Sequence, residues 1–439
     1  MDSEKSKKFV TGGETDGGIT SSYATGDGVK LKVPYSFFGS IYDEAEEKAV
    51  LAAMKQDTLT MGPKTAEFQK KFAAMCGCKH ALAVSNCTTG MHVAVQLFDI
   101  KAGDEVIVTP NTFIATSLVI LKEGAKPVYA DIDPRTYNID PKCVEKLVTK
   151  KTKAIFVVHY AGLMVDMDPI MEIARKHNLY VLEDCAHAHN AEYKGRKAGT
   201  IGDIGVFSFH SLKNMTTCGE GGMITTNDDN FAKGAEMLRC MNLSHWSPDD
   251  KRWQFGSITK EKESKLDYWI PSHFDVTDWN GHWGNNYRMN EIQAAVGCCQ
   301  VDKAEIITEK RRAIGHRLSA GLKGIKGITP VYEPEECKHV FHLYTICVEE
   351  DVLGASRDEF MRVLYQEEGI QTILHYQPTY HFAGLKKMGY QQDGLCPNAE
   401  KFFYKRQTNL PMHPRLTDND VDTMVQGIRN AAEKVRRNK

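Results

Sequence analysis

Residues 154–184, AIFVVHYAGLMVDMDPIMEIARKHNLYVLED, decide how this chain is read. Ala154–His159 is an unbroken apolar run the length of one strand. Pro169–His177 then places its apolar residues at helical spacing, and Tyr180–Glu183 is again a short apolar run. Strand, helix and strand in that order are the unit of a parallel sheet with crossover helices.

Working outward, the same alternation fills the chain from about Glu67 to Thr226. Further β-rich runs are His80–Ser85, Glu105–Thr109, Pro127–Ala130, Gly205–Phe209 and Met223–Thr226. Helical spacing returns at Met91–Phe98, Ile114–Glu123 and Pro141–Thr149. Several runs are continuous rather than alternating, which suits strands covered on both faces. The expected class is α/β, with a mainly parallel central sheet and helices on both faces. Ligands of such sheets sit beyond the carboxyl ends of the strands.

After Asn290 a long helical run leads into a strand-like FHLYTICV, a helix from Ser356 to Glu368 and a last helix after LTDND, which Asp418 or Asp420 could cap. The expected division is a flexible polar tail over 1–30, a large domain over 31–300 and a small C-terminal α/β domain over 301–439. The large domain includes a Trp-rich excursion over 242–285 that holds all 5 tryptophans. The tail lacks the apolar core of a signal peptide, and no stretch reaches the roughly 18 apolar residues that span a bilayer. The 12 cysteines are scattered among apolar residues, as reduced thiols are. A net charge of -2 and a pI near 6.8 give no electrostatic case for nucleic acid or an anionic membrane. A soluble cytoplasmic protein is expected.

Three segments carry chemistry. In VSNCTTGMHVAV a strand ends, a polar turn follows and a helix begins, so backbone N–H groups and the hydroxyls of Thr88 and Thr89 stand where a phosphate is favoured. The same residues also serve as ordinary helix caps. In VLEDCAHAHN, Asp184 ends a buried strand, where a carboxylate is costly without a cation. It is read either as a partner for a protonated ring nitrogen or as a cap of the next turn. Cys185, His187 and His189 share one face of an extended chain and form a third possibility, a metal site. In GVFSFHSLKNMTTCGEGGMITT, Lys213 sits among polar residues, with glycines at 219, 221 and 222 that let backbone approach a bulky ligand.

These segments, taken with TMGPKTAEFQKKFA, TPNTFIAT, NNYRMNEIQAAVG, HVFHLYTI, GIQTILHYQP and LPMHPRLTDNDVD, resemble the DegT/StrS family from about Pro34 to the C-terminus. These are fold-type-I enzymes dependent on pyridoxal 5'-phosphate (PLP) that aminate keto-sugars and aminocyclitol precursors. The resemblance implies that Lys213 forms the internal aldimine with PLP and serves as catalytic base. It further implies that Asp184 bonds the pyridine nitrogen and that His187 lies near the ring's 3-hydroxyl. Phe113 would stack on the ring, and Thr88, Thr89 and Ser208 would hold the phosphate. Asn286 would reach the phosphate of the other subunit in a homodimer with shared sites. His342 and His375 are candidates for the substrate side, and no metal is implied.

The implied reaction is a ping-pong transfer of an amino group from L-glutamate or L-glutamine to a keto-sugar, nucleotide-linked or a keto-cyclitol. Some relatives are PLP-dependent sugar dehydratases, with histidine at the lysine position; here that position is Lys213. A non-catalytic relative is expected to lack Lys213 or Asp184. A metal-dependent hydrolase rests on Cys185, His187 and His189 alone. Two features depart from the family pattern: Cys87 in the SNCTTG turn, and the long Trp-rich stretch.

Overall fold

The computed structural model describes residues 28–242, 276–390 and 392–437. Seven of its strands build the central sheet: β1 (His80–Val84), β2 (Glu105–Val108), β3 (Lys126–Tyr129), β4 (Thr152–Val158), β5 (Tyr180–Asp184), and, after the short pair β6 (Glu192–Tyr193) and β7 (Arg196–Lys197), β8 (Ile204–Ser208) and β9 (Gly222–Thr226). Their order is β1-β9-β8-β5-β4-β2-β3. All neighbours are parallel except β9, which runs antiparallel to both β1 and β8.

Side chains alternate along a strand, so each face of a fully covered sheet feeds a separate core. On β4, Ala154 and Phe156 enter one core, Ile155 and Val157 the other. After α1 (Glu44–Ala53), the second helix is α2 (Pro63–Cys76), followed by α3 (Cys87–Leu97), α4 (Ala115–Lys122), α5 (Pro141–Leu147), α6 (Met167–His177) and α7 (Asp229–Leu238). Helices α3, α4 and α7 cover the first face; α2, α5 and α6 cover the second. The continuous apolar runs of the sequence are therefore strands buried on both sides.

Helix α8 (Glu291–Leu322) has 32 residues, about 48 Å at the usual rise. Its first half, with Ala294, Cys298 and Ala304, packs under the second face of the sheet. Its second half, with Ile314, Leu318 and Leu322, enters a third core. There it meets a sheet of β10 (Ile328–Thr329), β12 (Tyr344–Val348) and β13 (Gln407–Leu410), while β11 (Cys337–Lys338) pairs with β6. The remaining helices are α9 (Glu350–Leu353), α10 (Arg357–Gln366), α11 (Ala383–Lys387), α12 (Pro397–Lys401) and α13 (Asp418–Arg437). Val33 also belongs to the third core, so the described chain passes beside the C-terminal part before crossing to the large sheet.

Several local details differ from the sequence reading. The helix expected from Met91 begins at Cys87, because Asn86 caps it and Thr89 returns the bond in a capping box. Thr417, rather than either aspartate, leads the last helix: its hydroxyl accepts from Asp420 N–H at 3.2 Å while Asp420 accepts from Thr417 N–H at 2.8 Å. Of the tryptophans, Trp246, Trp253 and Trp269 lie outside the described residues, as does most of the polar tail. Trp279 packs against the first core and close to Gly234, whereas Trp283 is 62% exposed.

Phe72 on α2 anchors the second face, with its ring 4.9 Å from Phe207 and 5.5 Å from Phe209 between centroids. Phe72→Ala leaves a cavity between helix and sheet and is expected to cost about 3–5 kcal/mol. Denaturant unfolding followed by circular dichroism should show that loss as an early transition.

Candidate active site

The carboxyl ends of β4, β5 and β8 face the N-termini of α3 and α4, and most of the polar residues singled out in the sequence meet there. The alternation of β5 separates its last two carboxylates. Asp184 follows Leu182 onto the first face, toward α3 and α4; Glu183 follows Val181 onto the second.

Asp184 is buried. One carboxylate oxygen accepts from the Thr116 hydroxyl at 2.9 Å and the other from Ala186 N–H at 3.1 Å, with the Cys87 thiol 4.0 Å away. No cation among the described residues bonds it. Burial pushes its carboxyl above the ordinary value against the pull of these donors and of Lys213. A protonated ring nitrogen placed against it reverses that balance.

Lys213 lies in the turn after β8. Its backbone is held by the Lys213 N–H bond to His210 C=O at 2.8 Å, and the neighbouring Ser211 C=O accepts from Gly39 N–H at 2.8 Å. Gly39 has to be glycine, because a Cβ there falls 2.1 Å from Leu212 O and 2.5 Å from Lys213 O. Burial lowers the Lys213 amine from 10.5 to about 8, although the Asp184 charge opposes the shift. Among the described residues none hydrogen-bonds its Nζ. An amine that sheds its proton so readily, with no partner of its own, is suited to attack an aldehyde.

The other candidates divide into those free for a ligand and those engaged elsewhere. Thr88 stands at the second position of α3 with its hydroxyl unpartnered among the described residues. Thr89 gives its hydroxyl to the helix start, donating to Asn86 C=O at 2.8 Å and lying 3.1 Å from Ser85 Oγ. Ser208 ends β8, its Oγ accepting only a long bond from His210 N–H at 3.4 Å. Phe113, just before α4, is 59% exposed and stands 6.3 Å from the Tyr376 ring in an edge arrangement. Asn286 is exposed, next to Tyr287, whose C=O accepts from Ser85 N–H at 2.7 Å beside the α3 turn.

His187 is buried, and burial with the Lys213 charge drives it well below the ordinary histidine range. Its ring lies 4.2 Å from that of His342, whose Nδ1 is 3.1 Å from Asn214 Oδ1. His375 feels the Lys213 charge, but burial is the larger cause that brings it to about 4.

Cys185, His187 and His189 do not converge. His189 packs against Phe207 and Phe209 and the Cys185 thiol joins His159 and Glu183, whereas His187 lies against Tyr160 and His342. In that second group the acceptor positions of Glu183 and His159 are already taken. Glu183 accepts from Ile201 and Gly202 N–H at 2.7 Å each, from Gly199 N–H at 3.0 Å and from His159 Nε2 at 2.9 Å, while His159 Nδ1 accepts from Val165 N–H at 3.1 Å. These bonds and the imidazole outweigh burial, holding Glu183 below its ordinary value.

Sequence reading missed Thr116, Tyr160 and Tyr376. Thr116 was hidden inside the Ile114–Glu123 helical pattern, although it is the residue three after Phe113. The lysine amine, the cation-less carboxylate and the exposed aromatic wall together fit a flat pyridine ring bearing an aldehyde.

Residues 40–429 match the model of the DegT/DnrJ/EryC1/StrS aminotransferase family. The chain belongs to that family. Among curated proteins it is 35% identical to GDP-perosamine synthase of Caulobacter vibrioides, over 88% of this chain and 95% of that protein. Its fold superposes on Helicobacter pylori PseC, an aminotransferase of pseudoaminic acid biosynthesis, with a TM-score of 0.79 and 28% identity over 91% of this chain and 99% of that one. A sugar aminotransferase described as putative, Spr1654 of Streptococcus pneumoniae, was solved in a PLP form that aligns with a TM-score of 0.79 and 26% identity, covering 92% and 99% of the two chains, and also in a pyridoxamine (PMP) form. The family member described here is a PLP-dependent sugar aminotransferase with the fold-type-I architecture. No helix among the described residues is long and apolar enough to cross a membrane.

The lowered Lys213 value sets a pH dependence. A lysine whose folded value is depressed is neutral above it, so capture of added PLP by the apoprotein should rise through a midpoint near pH 8. Stopped-flow absorbance across pH 6–10 measures it; a midpoint near the ordinary lysine value contradicts the burial of the amine.

Proposed function

We propose that the chain transfers an amino group from L-glutamate or L-glutamine to a keto-sugar, nucleotide-linked, in a ping-pong cycle centred on Lys213. The observation that supports this best is the joint setting of Lys213 and Asp184, an amine lowered to about 8 that feels the charge of a buried carboxylate bonded by no cation among the described residues. GDP-perosamine synthase and PseC, similar over most of this chain, carry names that point to sugar amination. A keto-cyclitol acceptor is the second reading, since the same core residues serve both.

When bound, PLP supplies an electron-accepting ring that lowers the barrier to breaking the donor's Cα–H bond. The chain's own residues do the rest. Asp184 holds a proton on the pyridine nitrogen, and Thr116 and Ala186 N–H fix the carboxylate's orientation. Thr88, Ser208 and the open N–H groups of the α3 turn hold the phosphate; Thr89 acts through the helix start it caps. Phe113 covers one face of the ring site. Lys213 Nζ takes the proton from the donor's Cα and delivers it on the way to the product, a base matched to neutral pH by its burial.

His342 and His375 border the substrate side, and Asn286 reaches the phosphate of a second copy, which makes the working unit a homodimer in the cytoplasm. The division into a domain over 31–300 and a smaller one over 301–439 fits the split of α8 between two cores.

The test is nitrogen tracing. Purified enzyme with PLP is mixed with 15N-L-glutamate or amide- and amine-labelled L-glutamine, then chased with keto-sugar nucleotides and keto-cyclitols. Label should appear on a sugar nucleotide, and Lys213→Ala should lower turnover at least a thousandfold, the order expected when a positioned base and covalent anchor are lost together. Label appearing on a cyclitol alone supports the second reading, and label on neither acceptor contradicts both.

A further inference from the structure

Tyr376 belongs to no role assigned so far. It lies in the LHYQP segment, half-buried, with its hydroxyl 3.2 Å from His187 Nε2 and its ring 20° from parallel to the His187 ring. On its other side stands the exposed Phe113 ring. Tyr376 thus occupies the seam between the aromatic wall and the histidine next to the lysine.

The hydrogen inventory of this pair gives the direction of each bond. Ala161 N–H points at His187 Nδ1 at 3.3 Å, and a backbone amide only donates. Nδ1 is therefore a lone pair. Burial keeps the imidazole neutral, so its one hydrogen is on Nε2. Nε2–H donates to Tyr376 Oη, and the phenol's own hydrogen must point away from His187. Among the described residues nothing accepts it. Burial, with Tyr160, Tyr35 and Asp184, keeps the phenol protonated, and His375 packs 4.6 Å from its ring.

His187 is the residue that the family resemblance sets beside the cofactor's 3-hydroxyl, yet its single hydrogen is already committed. We propose that Tyr376, not His187, donates the hydrogen bond to the phenolic oxygen of the bound cofactor, and that His187 is the positioning residue that aims the phenol. This rests on the reading that PLP is held at Lys213. Tyr160 steadies the same segment, its hydroxyl donating to His375 C=O at 2.8 Å.

A donor at that oxygen stabilises its anionic form and loosens its grip on the proton at the nitrogen joining cofactor and lysine. The pH at which bound PLP changes colour is then lower than without the donor. Tyr376→Phe keeps the ring and removes only the hydroxyl, so the spectral midpoint should move up by about 1–2 pH units, the size of one hydrogen bond to a charged group. PLP affinity of the apoprotein, measured by fluorescence quenching, should fall about tenfold, in line with the same bond. In the Tyr376→Phe background, His187→Ala should add no further shift, because His187 acts through the phenol.

Two results overturn the inference: a Tyr376→Phe midpoint equal to that of the wild type, or a separate His187→Ala shift in the Tyr376→Phe background. A wild type that never takes up PLP overturns the functional reading itself. A wild type that turns yellow while Tyr376→Phe titrates identically leaves that reading standing and removes only this one.

Discussion

The candidate site depends on a carboxylate buried at the end of a strand without a cation bonded to it among the described residues. Burying Asp184 raises its carboxyl above the ordinary value, against the opposing pull of two neutral donors and the Lys213 charge. The same desolvation acts on Lys213 in the opposite sense and releases its proton near pH 8. A single low-dielectric setting thus acts on both groups of the proposed cofactor site: a carboxylate that a pyridinium would stabilise and an amine suited to an aldehyde. Neither residue has this character in water.

The scaffold that holds this setting uses the two-residue period of β5 twice. Asp184 points to the face of α3 and α4, where Thr116 orients it. Glu183 points to the other face, where four donors saturate it and tie β5 to the Gly199–Gly202 loop and to His159. One carboxylate is left hungry and its neighbour is fully satisfied, an arrangement that fixes the strand end while leaving the functional group free to meet a ligand. Lys213 is steadied from outside the sheet. Gly39 lies against its backbone, and the buried Arg311 guanidinium bonds the Gly39 carbonyl as well as that of Phe341 at 2.8 Å. In this way the third core is coupled to the lysine turn.

Much of this was legible in the sequence because it is written in short-range pattern. Continuous apolar runs alternating with helical spacing yielded the parallel sheet, and the end of such a run placed Asp184 at the carboxyl end of β5. Residues engaged over long range were harder to read. Thr116 looked like part of an ordinary helical stripe, and the meeting of Tyr376 with His187 spans 189 positions. Thr89 is harder to place, because a capping residue and a phosphate-binding residue have the same side chain, and here its hydroxyl bonds back to Asn86. Cys185, His187 and His189 share a face only on an extended chain, and the chain turns directly after Asp184, so that the thiol joins His159 and Glu183 while His187 lies against Tyr160 and His342.

The central claim is that the cofactor is held on Lys213 with Asp184 at its far end. Borohydride reduction of the PLP-loaded protein, followed by protease digestion and mass spectrometry of the peptides, tests it most directly. The account predicts a single stoichiometric phosphopyridoxyl adduct on Lys213, formed in the wild type and lost to background in Asp184→Asn at the same PLP concentration. An adduct on another lysine, or one on Lys213 that forms equally well without the Asp184 carboxylate, would contradict it.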